Sequence, residues 1–447
     1  MALPGVYTVQ VAVWRLRSQF AAATQSAPMK RYFALLPVLL GLASTAPAPA
    51  AMDPVPTSIN TFGLELHRRL AAAGGNLVTS PWSIESALAM TWGGAAGKTA
   101  EEMRAVLHLS GKDEEVHAGF ARLAADLQAL AEKSQERVKA AKRFGGPDTP
   151  LEIHTANRLF GEQGYPFEKA YLNLTGHFYG APLEPVNFRQ ETDAVRARIN
   201  GWVAAQTKDR IRDLIPAGAI DRDTRLVLTN AIFLKAPWAE AFHEEPDAPF
   251  FVRGTEPVKV PGLVRKDRFG YQKLPGGVAV TVPYADRGLQ FVLFVPDERT
   301  GMPGLEKNLT PALLAGSASA EPREIILHFP AFKLEPDRVM LAKELIAMGM
   351  PTAFDQPQGS ADFSGIAPRR PDDYLFISKV IHQAFIAVDK NGTEAAAATA
   401  VVMPRAASMR PEPAPPLEIR VDRPFAFAIQ HPPSGTCLFL GRVSDPR

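Results

Sequence analysis

Residues 388–411 read Val388-Asp389-Lys390-Asn391-Gly392-Thr393-Glu394-Ala395-Ala396-Ala397-Ala398-Thr399-Ala400-Val401-Val402-Met403-Pro404-Arg405-Ala406-Ala407-Ser408-Met409-Arg410-Pro411. The residues leading into this stretch, 376–388, are rich in β-branched and aromatic side chains, as a long strand requires. The alanine run itself has two readings. Alanine is the best intrinsic helix former, which favours a helix. Taken at period two, however, Thr393, Ala395, Ala397, Thr399, Val401 and Met403 fall on one face with no charge among them. A segment able to slide between existing strands needs small inward side chains and no proline until its far end, and this one has both. Beyond Pro404 the proline, alanine, serine and arginine residues suit an exposed loop.

The chain around this stretch has 447 residues, 46% of them hydrophobic, and a formal net charge of +2. That is enough apolar material for a large core, and so balanced a charge points to no nucleic-acid partner. The single cysteine, Cys437, has no internal partner, so the fold stands without a disulfide. Its apolar neighbours suit a buried structural thiol.

Met29-Lys30-Arg31, the apolar run Tyr32–Ala43 and the small residues Ala46, Ala48, Ala50 and Ala51 form the three parts of a secretory signal peptide, with cleavage near Ala51. Residues 1–51 are therefore expected to be a leader whose real start is Met29. Residues 52–447 would be one domain, secreted or periplasmic. The apolar run is too short for a membrane span, so no membrane partner is expected. The leader and the Ala/Pro/Arg-rich usage point to a bacterial source.

In chain order, the periodicity predicts a helix over Ser58–Ala73 and a second one capped by Ser80, with Pro81 at its first position and Ile84, Leu88 and Trp92 on one face. Gly93-Gly94 and Gly97-Lys98-Thr99 fail the spacing of a phosphate loop, and Thr99 is expected to cap a helix over Ala100–Leu109. A further helix over about Glu114–Lys133 runs into the basic cluster Arg137, Lys139, Lys142 and Arg143. The cluster reads as a solvated helix end rather than a polyanion site. Residues 151–160 read as a strand, and Thr224–Lys235, nearly all apolar, as one buried on both faces. A helix is expected at Ile199–Asp213 and another at Val339–Met348, with strands within 258–297, 324–334 and 424–443. Helices come first and strands accumulate late, which is an α+β architecture.

Several motifs stand in one order: Asn76…Ser80-Pro81-Trp82-Ser83-Ile84, Asn157-Arg158-Leu159-Phe160, Thr229-Asn230-Ala231…Trp238…Phe242, Phe329-Pro330…Phe332, Phe363-Ser364-Gly365-Ile366 and Gly392-Thr393-Glu394-Ala395-Ala396. In this the chain resembles the serpins, from about Ser58 to Pro446. The resemblance implies a serpin fold of three β-sheets and about nine helices, with an exposed reactive-centre loop at about 390–416. It also implies a metastable monomer that is no enzyme and uses no cofactor or metal. In that family a target protease cleaves the loop, which then inserts into the main sheet and traps the acyl-enzyme. Serine proteases, and papain-like cysteine proteases by extension, are the implied partners.

By motif, Lys390, Gly392, Thr393, Glu394, Ala395, Ala396, Ala397 and Ala398 correspond to the hinge, and their small side chains match inhibitory members. Ser80, Ser83, Asn230 and His382 correspond to the polar cluster called the shutter, where the strands part. Two departures stand out: Lys390 replaces the family's usual glutamate and Ala331 its frequent basic residue, and the loop before Pro424 is longer and richer in proline. The family's hinge length, sixteen residues past Lys390, puts the scissile bond at Ala406–Ala407 and predicts elastase-like targets. One residue shorter gives Arg405–Ala406 and trypsin-like targets, and Met409–Arg410 is a third choice. The rival reading is a non-inhibitory serpin-fold binder whose loop is cleaved without trapping. Hydrolase chemistry lacks a Gly-x-Ser-x-Gly elbow, and His243-Glu244-Glu245 lacks a zinc protease's second histidine.

Overall fold

The computed structural model describes residues 6–17, 53–141, 149–252, 256–393 and 415–447. The strand Thr224–Pro237 lies inside the main sheet and is buried along nearly all of its length. Leu226, Leu228, Ile232 and Leu234 enter the core between the sheets, while Val227, Ala231 and Phe233 enter the core beneath the helix Phe188–Gln206. Burial on both faces explains the unbroken apolar run, because neither period-two face meets water.

Among the described residues the main sheet has eight strands. Tyr374–Asp389 and Thr224–Pro237 run parallel to each other, and each is antiparallel to the strands lying between them, Val6–Arg17 and Gly392–Thr393. Outside this centre, Glu152–Glu162 pairs with Thr224–Pro237, and Leu183–Val186 closes that edge. Phe332–Leu334 and Val339–Met340 lie along the far side of Tyr374–Asp389.

The other strands among the described residues form one nine-stranded sheet. The seventeen-residue strand Val258–Leu274 joins what the resemblance counts as two sheets. It pairs with His243–Phe250 through its first half and with Gly277–Pro283 only over Gly270–Leu274.

Nine α-helices occur among the described residues. Pro81–Trp92 begins as its sequence predicts: Ser80 Oγ accepts from Ser83 N–H at 3.2 Å, and all twelve residues are buried. The next helix departs from expectation. It spans Gly97–Val106 without a side-chain cap, because the Thr99 hydroxyl is turned to Asp362 and accepts its N–H at 3.1 Å. The predicted 114–133 helix extends over Asp113–Ala141, and 199–213 is replaced by Phe188–Gln206, kinked at Glu191. Val339–Met340 is strand, with the helix starting at Ala342.

No element is expected at residues 6–17, which lie inside the expected leader segment. In the structure they are a twelve-residue strand at the centre of the main sheet. Val9, Val11 and Val13 pack among Val195, Ile199 and Val203, while Ala12 and Trp14 join the core between the sheets. Three alternate valines are the signal that could have revealed it, each burial being worth roughly 1.5–3 kcal/mol.

Candidate functional site

The site is the seam between the two parallel strands, from the turn at Asp389 down to His382. At the upper end the hinge strand reverses within four residues. Asp389 Oδ1 accepts from Asn391 N–H at 2.7 Å and Gly392 N–H at 3.2 Å. Burial raises the Asp389 pKa, while those two backbone donors oppose the shift. Gly392 has φ +153°, and a Cβ there would meet the Ala236 carbonyl oxygen and stand 2.7 Å from Pro237 Cα. Only glycine passes this point without moving backbone.

Thr393 then lies opposite Ala236 on one side and Val388 on the other, fully buried. Its hydroxyl is 2.6 Å from Tyr284 Oη. Tyr284 stacks on Trp238 with ring centroids 4.7 Å apart, and Trp238 Nε1 donates to Asp389 O at 2.9 Å. The aromatic floor thus grips both the turn and Thr393. Lys390, which departs from the family pattern, places Nζ 3.2 Å from Glu244 Oε1. Ala331 donates its N–H to Pro261 O and has no charge to offer.

At the lower end the structure brings Ser80, Ser83, Asn230 and His382 together. Ser80 N–H donates to His382 Nε2 at 3.3 Å, and Ser80 Oγ donates to Leu438 O at 2.6 Å. Ser83 Oγ donates to Asn230 Oδ1, and Asn230 Nδ2 donates to Asn157 Oδ1 at 2.6 Å. Burial lowers the His382 pKa to about 3, so the ring is neutral at physiological pH. Thr8 Oγ1 from the N-terminal strand is 3.3 Å from His382 Nε2. The histidine meets Ser80 through its backbone N–H and not its hydroxyl, which is already committed to Leu438, so no base activates this serine.

Glu394, Ala395, Ala396, Ala397 and Ala398, and the bonds Ala406–Ala407, Arg405–Ala406 and Met409–Arg410, lie outside the described residues, as do the signal segment and its cleavage point. Sequence reasoning missed Tyr284, Glu244 and the N-terminal strand as parts of this site. Glu245, flagged beside His243, instead pairs with His328 at 2.8 Å. Arg137 of the basic cluster is paired with Asp286. Among the described residues no group of three or more His, Cys, Asp or Glu is placed to hold a metal ion, and no helix is long and apolar enough to cross a membrane.

An α+β fold with a seam between two parallel central strands, a glycine hinge entering its top and a buried Ser–Asn–His cluster lower down is the architecture of a serpin. Residues 57–446 match the family model described as Serpin (serine protease inhibitor), and the chain belongs to that family. It is 33% identical over 425 residues to serpin B10 of Papio anubis, spanning 88% of this chain and 100% of that protein. It is 35% identical over 408 residues to the leukocyte elastase inhibitor of Equus caballus, with the same coverage of 88% and 100%.

Among solved structures it is similar to uncleaved ovalbumin, with TM-score 0.69, 25% identity and coverage of 88% of this chain and 100% of that one. A cleaved Serpin 42Da gives TM-score 0.69 at 24% identity, covering 89% and 100%. Thyroxine-binding globulin in complex with thyroxine gives 0.69 at 25%, covering 87% and 99%.

Proposed function

We propose that this chain is a suicide-substrate inhibitor of serine proteases, papain-like cysteine proteases included, which traps the acyl-enzyme by drawing its cleaved loop into the main sheet. One observation carries the reading: Thr393 is already paired on both sides within the seam, its side chain buried on Tyr284. Continuing that register sets Ala395 opposite Leu234 and Ile386, and Thr399 opposite Asn230 and His382, with only small side chains on Thr393's face as far as Ala397. Insertion to Thr399 or beyond would add roughly ten backbone hydrogen bonds at about 1 kcal/mol each.

The catalytic chemistry belongs to the protease. Its serine or thiol attacks the carbonyl carbon of Ala406, the Ala406–Ala407 bond breaks, and the Ala407 nitrogen takes up a proton as the new amino terminus of residues 407–447, whose strands Leu417–Arg420, Phe425–His431 and Thr436–Val443 stay paired in the sheet. Elastase-like enzymes are the expected targets, in keeping with the leukocyte elastase inhibitor among the relatives. Cleavage at Arg405–Ala406 would select trypsin-like ones. The protein works as a monomer without a cofactor.

Residues 1–51 serve as a leader for export from a bacterial cell, leaving 52–447 as the single domain; N-terminal sequencing of the exported product tests this. A second reading, a binder cleaved without trapping, draws support from the likeness to a thyroxine-binding globulin and from the strand already occupying the seam. Mixing the exported, leader-free protein with elastase and with trypsin separates the two. A complex that survives denaturing electrophoresis, with a released peptide whose mass marks the bond, is expected; cleavage without complex supports the binder.

A further inference from the structure

The N-terminal strand stands in the place that insertion requires. Val6 lies opposite Leu234 and Ile386, and Gln10 opposite Asn230 and His382. These are the positions that Ala395 and Thr399 reach when the Gly392–Thr393 register is continued. The coincidence holds residue for residue on both flanking strands down to Val13, opposite Val227 and Lys379; the register then shifts against Tyr374–Asp389 after Val13 and against Thr224–Pro237 after Trp14. One ladder position holds one strand, so the N-terminal strand and an inserted loop exclude each other.

We propose that residues 6–17 are an intramolecular plug: with them in the seam the chain is a latent form that is cleaved without trapping, and their withdrawal arms it. This inference rests on the loop-insertion reading above. The plug satisfies the inner edges of both parallel strands and buries Val9, Val11 and Val13. It also carries a defect at its midpoint. The Gln10 amide is fully buried beside the polar cluster, and neither its nitrogen nor its oxygen finds a partner among the described residues; the Trp14 indole N–H is likewise unpaired. Buried polar groups left unpaired weaken a strand's hold, and a shorter side chain such as Thr399 avoids burying an amide there.

The plug is joined to the helix Pro54–Ala71 through residues 18–52, which span the expected start Met29 and the expected cleavage point near Ala51. A chain begun at Met29 or cut at Ala51 has no plug, so the choice of start or the processing step sets the state of the inhibitor.

The test uses the full chain in three versions: unaltered, Val9→Lys/Val11→Lys/Val13→Lys to expel the plug, and Val9→Cys/Ala231→Cys to lock it to the residue directly opposite. Each receives a fluorescent synthetic peptide with the sequence of residues 395–405, and separately elastase and trypsin. Peptide uptake at least tenfold faster in the triple-lysine chain than in the unaltered one is expected, with none in the oxidised locked chain until reductant restores it. Denaturation-resistant complexes should follow the same order. Equal uptake in all three, failure of the cysteines to pair, or trapping by the unaltered chain as fast as by the triple-lysine chain overturns the proposal. Uptake in the expected order without any complex upholds the plug and removes the inhibitory reading instead. If the triple-lysine chain does not fold, the locked chain before and after reduction decides the matter alone.

Discussion

Burial lowers His382 to about 3 and His117 to about 4, from an ordinary value near 6.5. The unfolded chain takes up protons on both rings below pH 6.5, whereas the native chain does so only near those lowered values. Stability present above pH 6.5 is therefore lost as pH falls toward 4, at up to about 1.4 kcal/mol per pH unit for each ring. Glu85 acts in the opposite sense. Burial raises its pKa, the Ser58 hydroxyl only partly opposing, so its contribution is fullest at low pH and fades as pH rises. Replacing His382 by Gln should flatten the pH dependence of urea unfolding between pH 6.5 and 4 by one proton's worth; an unchanged slope would show that the ring is not buried neutral.

A second residue-scale prediction concerns Ala397, which shares Thr393's face and, in the continued register, comes level with Thr8 beside the neutral His382. A guanidinium there would be desolvated beside a ring that offers no counter-charge, costing several kcal/mol. On the loop-insertion reading proposed above, Ala397→Arg in a chain freed of its N-terminal strand should turn trapping into plain cleavage, read as the ratio of cut to complexed protein. Of the residues in the seam, Ser80, Ser83 and Asn230 are legible because each sits in a quoted motif, and His382 because it lies in the long strand leading into the hinge. Tyr284 and Glu244 are not, since each meets the hinge from about a hundred residues or more away and carries no local signature.

Among the elements, the hinge turn depends on a backbone that only glycine tolerates at 392. Gly392→Val should expel Thr393 from the seam, destabilise the chain by about 2 kcal/mol and speed amide exchange at Thr393 at least tenfold. Unaltered protection at that amide would mean the turn has another way in. Thr224–Pro237 was readable because burial on both faces leaves an apolar run that nothing else explains. The Gly97–Val106 helix was misjudged at its start because Thr99, a good cap by type, is claimed by Asp362 from 263 positions away. The N-terminal strand was hidden for a different reason: a signal-peptide pattern follows it, and segments ahead of such patterns are not ordinarily read as fold.

At the level of the whole molecule, stability comes from packing with no covalent tie. Cys437 is the only cysteine; it is free and fully buried, and burial pushes its thiol pKa well above the ordinary range. Reductant should leave the melting temperature unchanged within about 1 °C, where loss of a disulfide would cost 2–5 kcal/mol. The thiol should react with an aromatic disulfide reagent only as fast as the chain opens. Fast reaction in native buffer would place Cys437 at a surface and contradict the packing of Thr436–Val443. The overall architecture was the most legible level of all, since motifs spread from Asn76 to Gly392 fix the order of elements even where individual boundaries slip.

The stacking of Trp238 on Tyr284 gives the molecule an optical gauge of its own. The indole touches the hinge at both ends, through its ring on the tyrosine that holds Thr393 and through its N–H on the Asp389 carbonyl. Any shift of that turn, inward with the loop or outward toward solvent, alters the polarity and quenching that this ring experiences. In a chain whose other four tryptophans, Trp14, Trp82, Trp92 and Trp202, are changed to Phe, emission at 238 becomes a clock for hinge movement that needs no attached dye.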